Sequence, residues 1–266
     1  MNRKDIPLTQ KKLTDDAFVF HVDHQLRDPA VAIAFGGLAG RFGGIPPFEF
    51  LNLISDIPAY KIFLRDPYGL WYHNGIPGIG NSIREVAHYL RGQCLLRGAR
   101  RIVTIGNSAG GYAAILFGIL IQADEVQAFS PQTRLLHLSD FPSENLNQLH
   151  QNTRAEKSFL DLRDVLLKEG STSTKICISY AQYDPTDVRH ALHLANLPNV
   201  RLFNYPWPRH NLVKMLKEYG LLKPLLFNAV TGNQTRLHLR IIKAKLLMRI
   251  RCLPDLFHHR RKERGV

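Results

Sequence analysis

One stretch constrains this chain more than any other: residues 101–118, RIVTIGNSAGGYAAILFG. Ile102, Val103 and Ile105 form a β-branched run that predicts a short strand buried on both faces. Tyr112 to Ile121 predicts a helix of small and aliphatic residues. Between them Gly106, Ser108 and Gly110 stand at G-x-S-x-G spacing, and the order strand, motif, helix is the setting a nucleophile elbow needs. So tight a turn imposes strained backbone angles on the serine and requires neighbours without bulk two residues to either side. Gly111, Ala113 and Ala114 let the helix pack close to adjacent strands. The Ser108 hydroxyl is then expected at the C-terminal edge of a sheet and at a helix N-terminus, whose dipole favours developing negative charge. Small residues flank serine by chance in many loops, so the motif carries weight only with partners downstream.

The 266 residues suit one large α/β domain with extensions, and 45% hydrophobic content is ordinary for a soluble globular chain. Cys94, Cys177 and Cys252 are odd in number and far apart, with no C-x-x-C or His/Cys cluster at metal spacing. That pattern points away from a disulfide framework or a zinc site, and a reducing cytoplasm is the expected location. Residues 1–12 are polar, without the apolar core of a signal peptide. The longest apolar runs, 31–40 and 113–121, are too short to span a bilayer. Of the net charge of +13, residues 235–266 carry +8, ten Lys/Arg against Asp255 and Glu263, so the body is only mildly basic.

Residues 17–22 alternate and predict a first strand near a sheet edge; residues 30–35 predict a fully buried one. The latter runs into Gly36, Gly37, Leu38, Ala39 and Gly40, which have neither G-x-G-x-x-G spacing nor a following G-K-[ST]. The loop is read instead as half of an oxyanion hole, where glycine lets backbone N–H groups approach a carbonyl closely. A short helix is expected over 48–54 and a strand over 60–64. Residues 65–80 form a loop dense in aromatics, Gly and Pro that is expected to line a pocket, with Arg65, Trp71 and His73, and Asn107 of the elbow, as candidate substrate contacts; a cover over the core is an equal alternative for Trp71 and Tyr72. Ser82 and Glu85 read as a capping box opening a helix to about residue 96. Strands are expected over 125–129, 175–180 and 199–204, and an insertion over 134–170, helical at 155–168, is expected to roof the site.

Ser108, Asp184 and His210 occur in that order, each just past the end of an expected strand and so on one sheet edge. Their chemistry divides accordingly. His210 takes the Ser108 proton, the acid fixes the imidazole tautomer, and backbone N–H groups hold the oxyanion. The expected donors are the Ala109 N–H and one from Gly37 or Leu38. Asp187 lies close by as a second candidate acid; Asp184 is favoured because the turn that follows the strand can project its carboxylate towards His210, with Asp187 expected to cap a helix from about residue 188. With these residues the sequence resembles the α/β-hydrolase superfamily over roughly residues 17–225. The resemblance implies an α/β-hydrolase fold: an eight-stranded-type, mostly parallel sheet flanked by helices, with esterase, thioesterase or acyl-transfer activity and no cofactor. The stretches 65–80, 106–111 and 183–187 also resemble hydrolase-type proteins of bacterial polysaccharide and glycosyltransferase systems. Phe35 departs from the pattern, standing where lipase-like members carry the histidine of H-G-G.

The expected organisation is a polar extension over 1–16, a catalytic domain over 17–225 and a basic, partly helical extension over 226–266. The expected substrate is a small-molecule or glycan-linked acyl ester, with hydrolysis, transfer to a glycan hydroxyl and a non-catalytic binding role as alternatives. On a helix the apolar residues of the tail fall in two bands separated by Arg and Lys. Its basic clusters suit peripheral contact with an anionic membrane. They lack the aromatic interleaving of a nucleic-acid surface, and nucleic acid is not the expected partner.

Overall fold

Apolar runs bounded by turns become strands, and the computed structural model, described here over residues 19–22, 30–38, 48–136, 144–152, 155–169, 173–233 and 237–263, joins them into one sheet. The strands are β1 (Val19–Val22), β2 (Ala30–Phe35), β3 (Tyr60–Leu64), β4 (Arg101–Asn107), β5 (Glu125–Phe129), β6 (Lys175–Ala181) and β7 (Val200–Tyr205). Their spatial order is β1-β3-β2-β4-β5-β6-β7, with β1 antiparallel to β3 and every other pair parallel. The described residues thus form seven strands, where the resemblance implied eight. Ala17 and Phe18 of the expected first strand, like residues 1–16, lie outside the described residues.

The helices are α1 (Leu51–Ile54), α2 (Ile83–Leu96), α3 (Ala109–Leu120), α4 (Glu144–Gln151), α5 (Leu162–Lys168), α6 (Pro185–His193), α7 (Leu212–Glu218), α8 (Leu222–Thr231) and α9 (His238–Glu263). The period of two along β2 sorts its side chains onto two cores. Val31, Ile33 and Phe35 pack with α2, α3 and α5, while Ala32 and Ala34 pack with α1, α7, α8 and α9. Each fully buried Val, Leu, Ile or Phe contributes about 1.5–3 kcal/mol, and these two layers hold nearly all of them. α3 is buried on every side, which is why its sequence shows no polar face.

Two expected boundaries change. The expected helix over 155–168 is a 3-10 turn (Lys157–Phe159) followed by α5, which begins only where Asp161 accepts the Arg163 N–H at 2.8 Å. The described part of the insertion ties itself to the loop 65–80, Asn145 Nδ2 donating to Gly69 O at 2.8 Å and Asn152 Nδ2 to Asn74 Oδ1 at 2.6 Å. The domain boundary at 225/226 falls inside α8, whose Leu226, Ala229 and Val230 share a core with Val103 and Ile105. Met248 and Cys252 of α9 lie in that same core, so helix packing carries the domain well past residue 225.

β3 and β4 flank β2 on opposite sides, so the winding direction reverses at β2. A crevice opens at the C-terminal ends of strands where that happens. Gly37 follows β2 there and Ser108 follows β4. Among the described residues no helix is long and apolar enough to cross a membrane.

Candidate active site

Ser108 joins β4 to α3 with φ 55° and ψ −120°, angles that cost a non-glycine residue about 1–3 kcal/mol. Its N–H donates to Phe129 O at 2.9 Å, and its carbonyl accepts the Tyr112 N–H at 3.1 Å, so both sides of the turn are held. The flanking glycines are sterically required. A Cβ on Gly106 would lie 1.9 Å from Gly110 O, and one on Gly110 would lie 2.3 Å from Phe35 O.

His210 comes from the loop after β7. That loop is pinned by the Tyr183 N–H donating to Trp207 O at 3.0 Å and by Trp207 Nε1 donating to Asn211 Oδ1 at 2.6 Å. His210 Nε2 lies 2.9 Å from Ser108 Oγ, and His210 Nδ1 lies 2.6 Å from Asp187 Oδ1. A carboxylate only accepts, so Nδ1 carries the proton and Nε2 is free to accept from the serine. Burial pushes the His210 pKa down, but the hydrogen bond and charge of Asp187, with the charge of Asp184, outweigh it and raise it above 6.5.

The acid beside His210 is therefore Asp187, which corrects the expectation for Asp184. Asp184 is the N-cap of α6, its Oδ1 accepting the N–H groups of Thr186 and Asp187, each at 3.0 Å. Pro185 starts the helix one residue after the cap, so the side chain of Asp184 is spent on the helix end. Asp187, buried one turn in, has its other oxygen held by Ser130 Oγ at 2.5 Å and the Ala181 N–H at 3.0 Å.

Ala109 opens α3, and its N–H belongs to the first turn, where no intrahelical carbonyl is available. Gly37 is pressed against the elbow, since a Cβ there would lie 3.0 Å from Asn107 O. Its N–H donates to Glu49 Oε2 at 3.3 Å, and the Asn107 side chain also hydrogen-bonds that carboxyl. Leu38 packs on the core.

No protein-family model and no curated protein sequence matches the chain. Solved structures do. A capsule O-acetyltransferase of Neisseria meningitidis serogroup A aligns with 76% of this chain and 89% of its own, at 13% identity and a TM-score of 0.54. The serine hydrolase FphF of Staphylococcus aureus aligns with 80% of this chain and 87% of its own, at 15% identity and TM-score 0.52. The S-formylglutathione hydrolase FrmB of the same organism aligns with 79% and 85%, at 14% identity and TM-score 0.51. The chain has an α/β-hydrolase fold.

Within this α/β-hydrolase fold the other candidate contacts separate. Asn107 stands at the elbow. Arg65 lies with its guanidinium carbon 5.8 Å from the Phe48 ring centre, next in the chain to Glu49. Trp71 and His73 are buried in the core instead of lining an open pocket. The carboxylate of Asp66 takes the N–H groups of Tyr68 and Tyr72, both at 3.0 Å, in a turn where Trp71 and Tyr72 have φ of 51° and 66°. That turn folds the aromatics inward. Trp71 Nε1 donates to Gln132 Oε1 at 2.6 Å, and His73 Nε2 pairs with Tyr112 Oη at 3.0 Å. Burial drives the His73 pKa to about 3, so the ring is neutral.

Two residues at the site were not anticipated. Ser130 anchors Asp187, and the only sequence signal was its place at the end of an expected strand. Glu49 is half-buried, and burial raises its pKa to about 7 against the opposing pull of the Gly37 and Asn107 hydrogen bonds. A lone acid in the apolar run 48–54 was the signal available. A separate cavity of about 520 Å³ lies beneath α8 and α9, lined by Arg101, Glu125, Lys175 and Arg201 together with apolar Phe203 and Leu225. It includes none of Ser108, His210 and Asp187.

Proposed function

We propose that this protein is a serine acyl hydrolase that cleaves an ester or thioester through a covalent acyl-Ser108 intermediate. The observation that carries the reading is the continuous row from Ser108 Oγ through His210 to Asp187, at 2.9 and 2.6 Å, on an elbow with strained serine angles. Ser108 Oγ attacks the acyl carbon while its proton passes to His210 Nε2. The carbonyl oxygen gains negative charge facing the Ala109 and Gly37 N–H groups. The bond to the leaving group then breaks, and His210 returns the proton to it. In the second half His210 takes a proton from water, or from a sugar hydroxyl, as its oxygen attacks the acyl carbon; the bond from that carbon to Ser108 Oγ then breaks, and His210 gives the proton to Oγ, restoring the serine hydroxyl and the neutral imidazole.

Acylated glycans are the substrate class we favour, with support from the resemblance to polysaccharide-system hydrolases and from the O-acetyltransferase among the structural neighbours. The transferase variant differs only in which hydroxyl resolves the acyl-enzyme. A fluorophosphonate probe tests the reading: it should label the wild type and leave Ser108→Ala unlabelled with an unchanged melting curve. Equal labelling of the variant would sink it. A screen of O-acetylated glycans, scoring acetate release against acetyl transfer, separates hydrolysis from transfer.

For the tail we propose peripheral contact with an anionic bilayer. Of its two apolar bands, the one holding Ala244, Met248 and Cys252 packs on the body. The other, Leu239, Ile242, Leu246 and Ile250, is 79, 52, 58 and 54% exposed. Arg240, Lys243 and Arg249 flank that stripe, are exposed, and have no acid near them between residues 237 and 252. A second copy docked there would set cation against cation; anionic headgroups complement both charge and stripe. Because α9 also carries core residues, substitution tests this better than truncation. Wild type should float with phosphatidylglycerol vesicles at low salt and Leu246→Glu/Ile250→Glu should not. Failure of the wild type to bind, or loss of a dimer in the variant, overturns the proposal.

A further inference from the structure

Glu49 has no part in the row Ser108–His210–Asp187, yet its carboxyl sits between the two loops that flank the nucleophile. Gly37, after β2, donates its N–H to Glu49 Oε2 at 3.3 Å, longer than an ordinary N–H···O bond and correspondingly weak. Asn107, immediately before Ser108, hydrogen-bonds the same carboxyl from β4, and its own Oδ1 is buried without a partner. Gly37 offers one N–H, and it cannot serve the carboxyl and an oxyanion together. The reaction read for Ser108 builds negative charge beside Gly37, so an ionised Glu49 competes for the donor and opposes that charge.

Resting on that reading of the serine site, we propose that Glu49 is a further catalytic residue. As a neutral acid it releases the Gly37 N–H to the oxyanion and turns its own O–H to the same atom; as a carboxylate it keeps the N–H and shuts the site. No bond to Glu49 is made or broken in this step, and its proton stays on it throughout. The half-buried setting favours the neutral acid, raising the pKa to about 7. Among the described residues the titratable and charged groups around it are few. Tyr72, on the loop after β3, feels the charge of Glu49 together with those of Asp66 and Arg65, and burial keeps its phenol neutral. On the β4 side the groups are Asn107 and, next in the chain, Ser108 with His210.

The rate of fluorophosphonate labelling of Ser108, followed from pH 5.5 to 9.5, tests this. Labelling requires a neutral His210, so the rate rises on the acid side, and a neutral Glu49, so it falls on the alkaline side. Above about pH 7 the wild type should lose about tenfold per pH unit, as loss of one required proton does. Glu49→Gln keeps a donor that cannot ionise, so its alkaline limb should vanish, leaving it about 100-fold faster than wild type at pH 9. Should that variant fail to fold, Asn107→Asp sets a like charge beside the carboxyl and should move the wild-type limb to higher pH. A wild-type rate that stays level between pH 8 and 9.5, or an alkaline fall retained in Glu49→Gln, overturns the proposal while leaving the serine reading intact. Absence of labelling at every pH sinks the serine reading and this inference with it.

Discussion

The two aspartates of α6 give a sharp test of how the site works. Asp187 Oδ2 takes two donors, Ser130 Oγ–H and the Ala181 N–H, while Oδ1 takes His210 Nδ1–H. In Asp187→Asn only one of those positions can remain an oxygen. The Ala181 N–H belongs to the backbone and cannot turn, so the asparagine oxygen must face it, and the amide NH₂ must face His210. Nδ1 then has to accept, the ring proton moves to Nε2, and Ser108 loses its base. An imidazole held in the wrong tautomer costs about 10⁴ in kcat where it has been tested, or about 5.5 kcal/mol of barrier. Asp184→Asn should change the rate by less than about twofold, because asparagine caps a helix about as well as aspartate. Turnover of a p-nitrophenyl acetate ester, with fluorophosphonate labelling alongside, reads both variants. Asp187→Asn retaining a tenth of wild-type turnover, or Asp184→Asn falling as far as Asp187→Asn, would refute the assignment.

Other residues give further tests. Ser130→Ala removes one donor from Asp187 and should lower kcat about tenfold, since a hydrogen bond to a charged group contributes about 1.5–3 kcal/mol; an unchanged kcat would detach Ser130 from the site. Gly110→Ala places a Cβ 2.3 Å from Phe35 O, and denaturant unfolding should show a loss of about 3 kcal/mol, the upper end for overpacking. Lys61 is fully buried on β3, its Nζ donating to Ala59 O at 3.2 Å, and burial lowers its pKa to about 8. Below that pH the folded chain holds a buried charge, while between about 8 and 10.5 the unfolded chain binds more protons than the folded one. Stability should therefore rise with pH across that window, and Lys61→Met should stabilise by about 3 kcal/mol at pH 7 and flatten the rise, as read by melting temperature.

Much of the fold was legible because its signals are local. Strands such as β3 and β5 are apolar runs ended by turn residues, and Ser82 with Glu85 marks the start of α2 within four positions of sequence. The elbow is legible for the same reason: the glycines at 106 and 110 are required by atoms only a few residues away or on the neighbouring strand. Glu49 was not legible, since its meaning depends on Gly37 and Asn107 being brought together by the reversal of winding at β2. The inward turn of Trp71 and His73 was not legible for a related cause. Non-glycine residues at positive φ carry no sequence mark, and it is those angles that turn the loop aromatics into the core.

The acid is the more instructive case, because the information needed was present in D-P-T-D, residues 184–187. A carboxylate in the turn that follows a strand points to the sheet edge, and that favours Asp184. Proline at 185 outweighs this. It is pre-set for the first helical position, so the helix begins there and residue 184 becomes its cap, committed to the N–H groups two and three residues on. Asp187 then sits at the third helical position, where the first turn aims it back across the strand ends and where its own N–H is already taken by Asp184. The two aspartates therefore act in series. Asp184 fixes the start of α6, and that start fixes the direction from which Asp187 reaches His210.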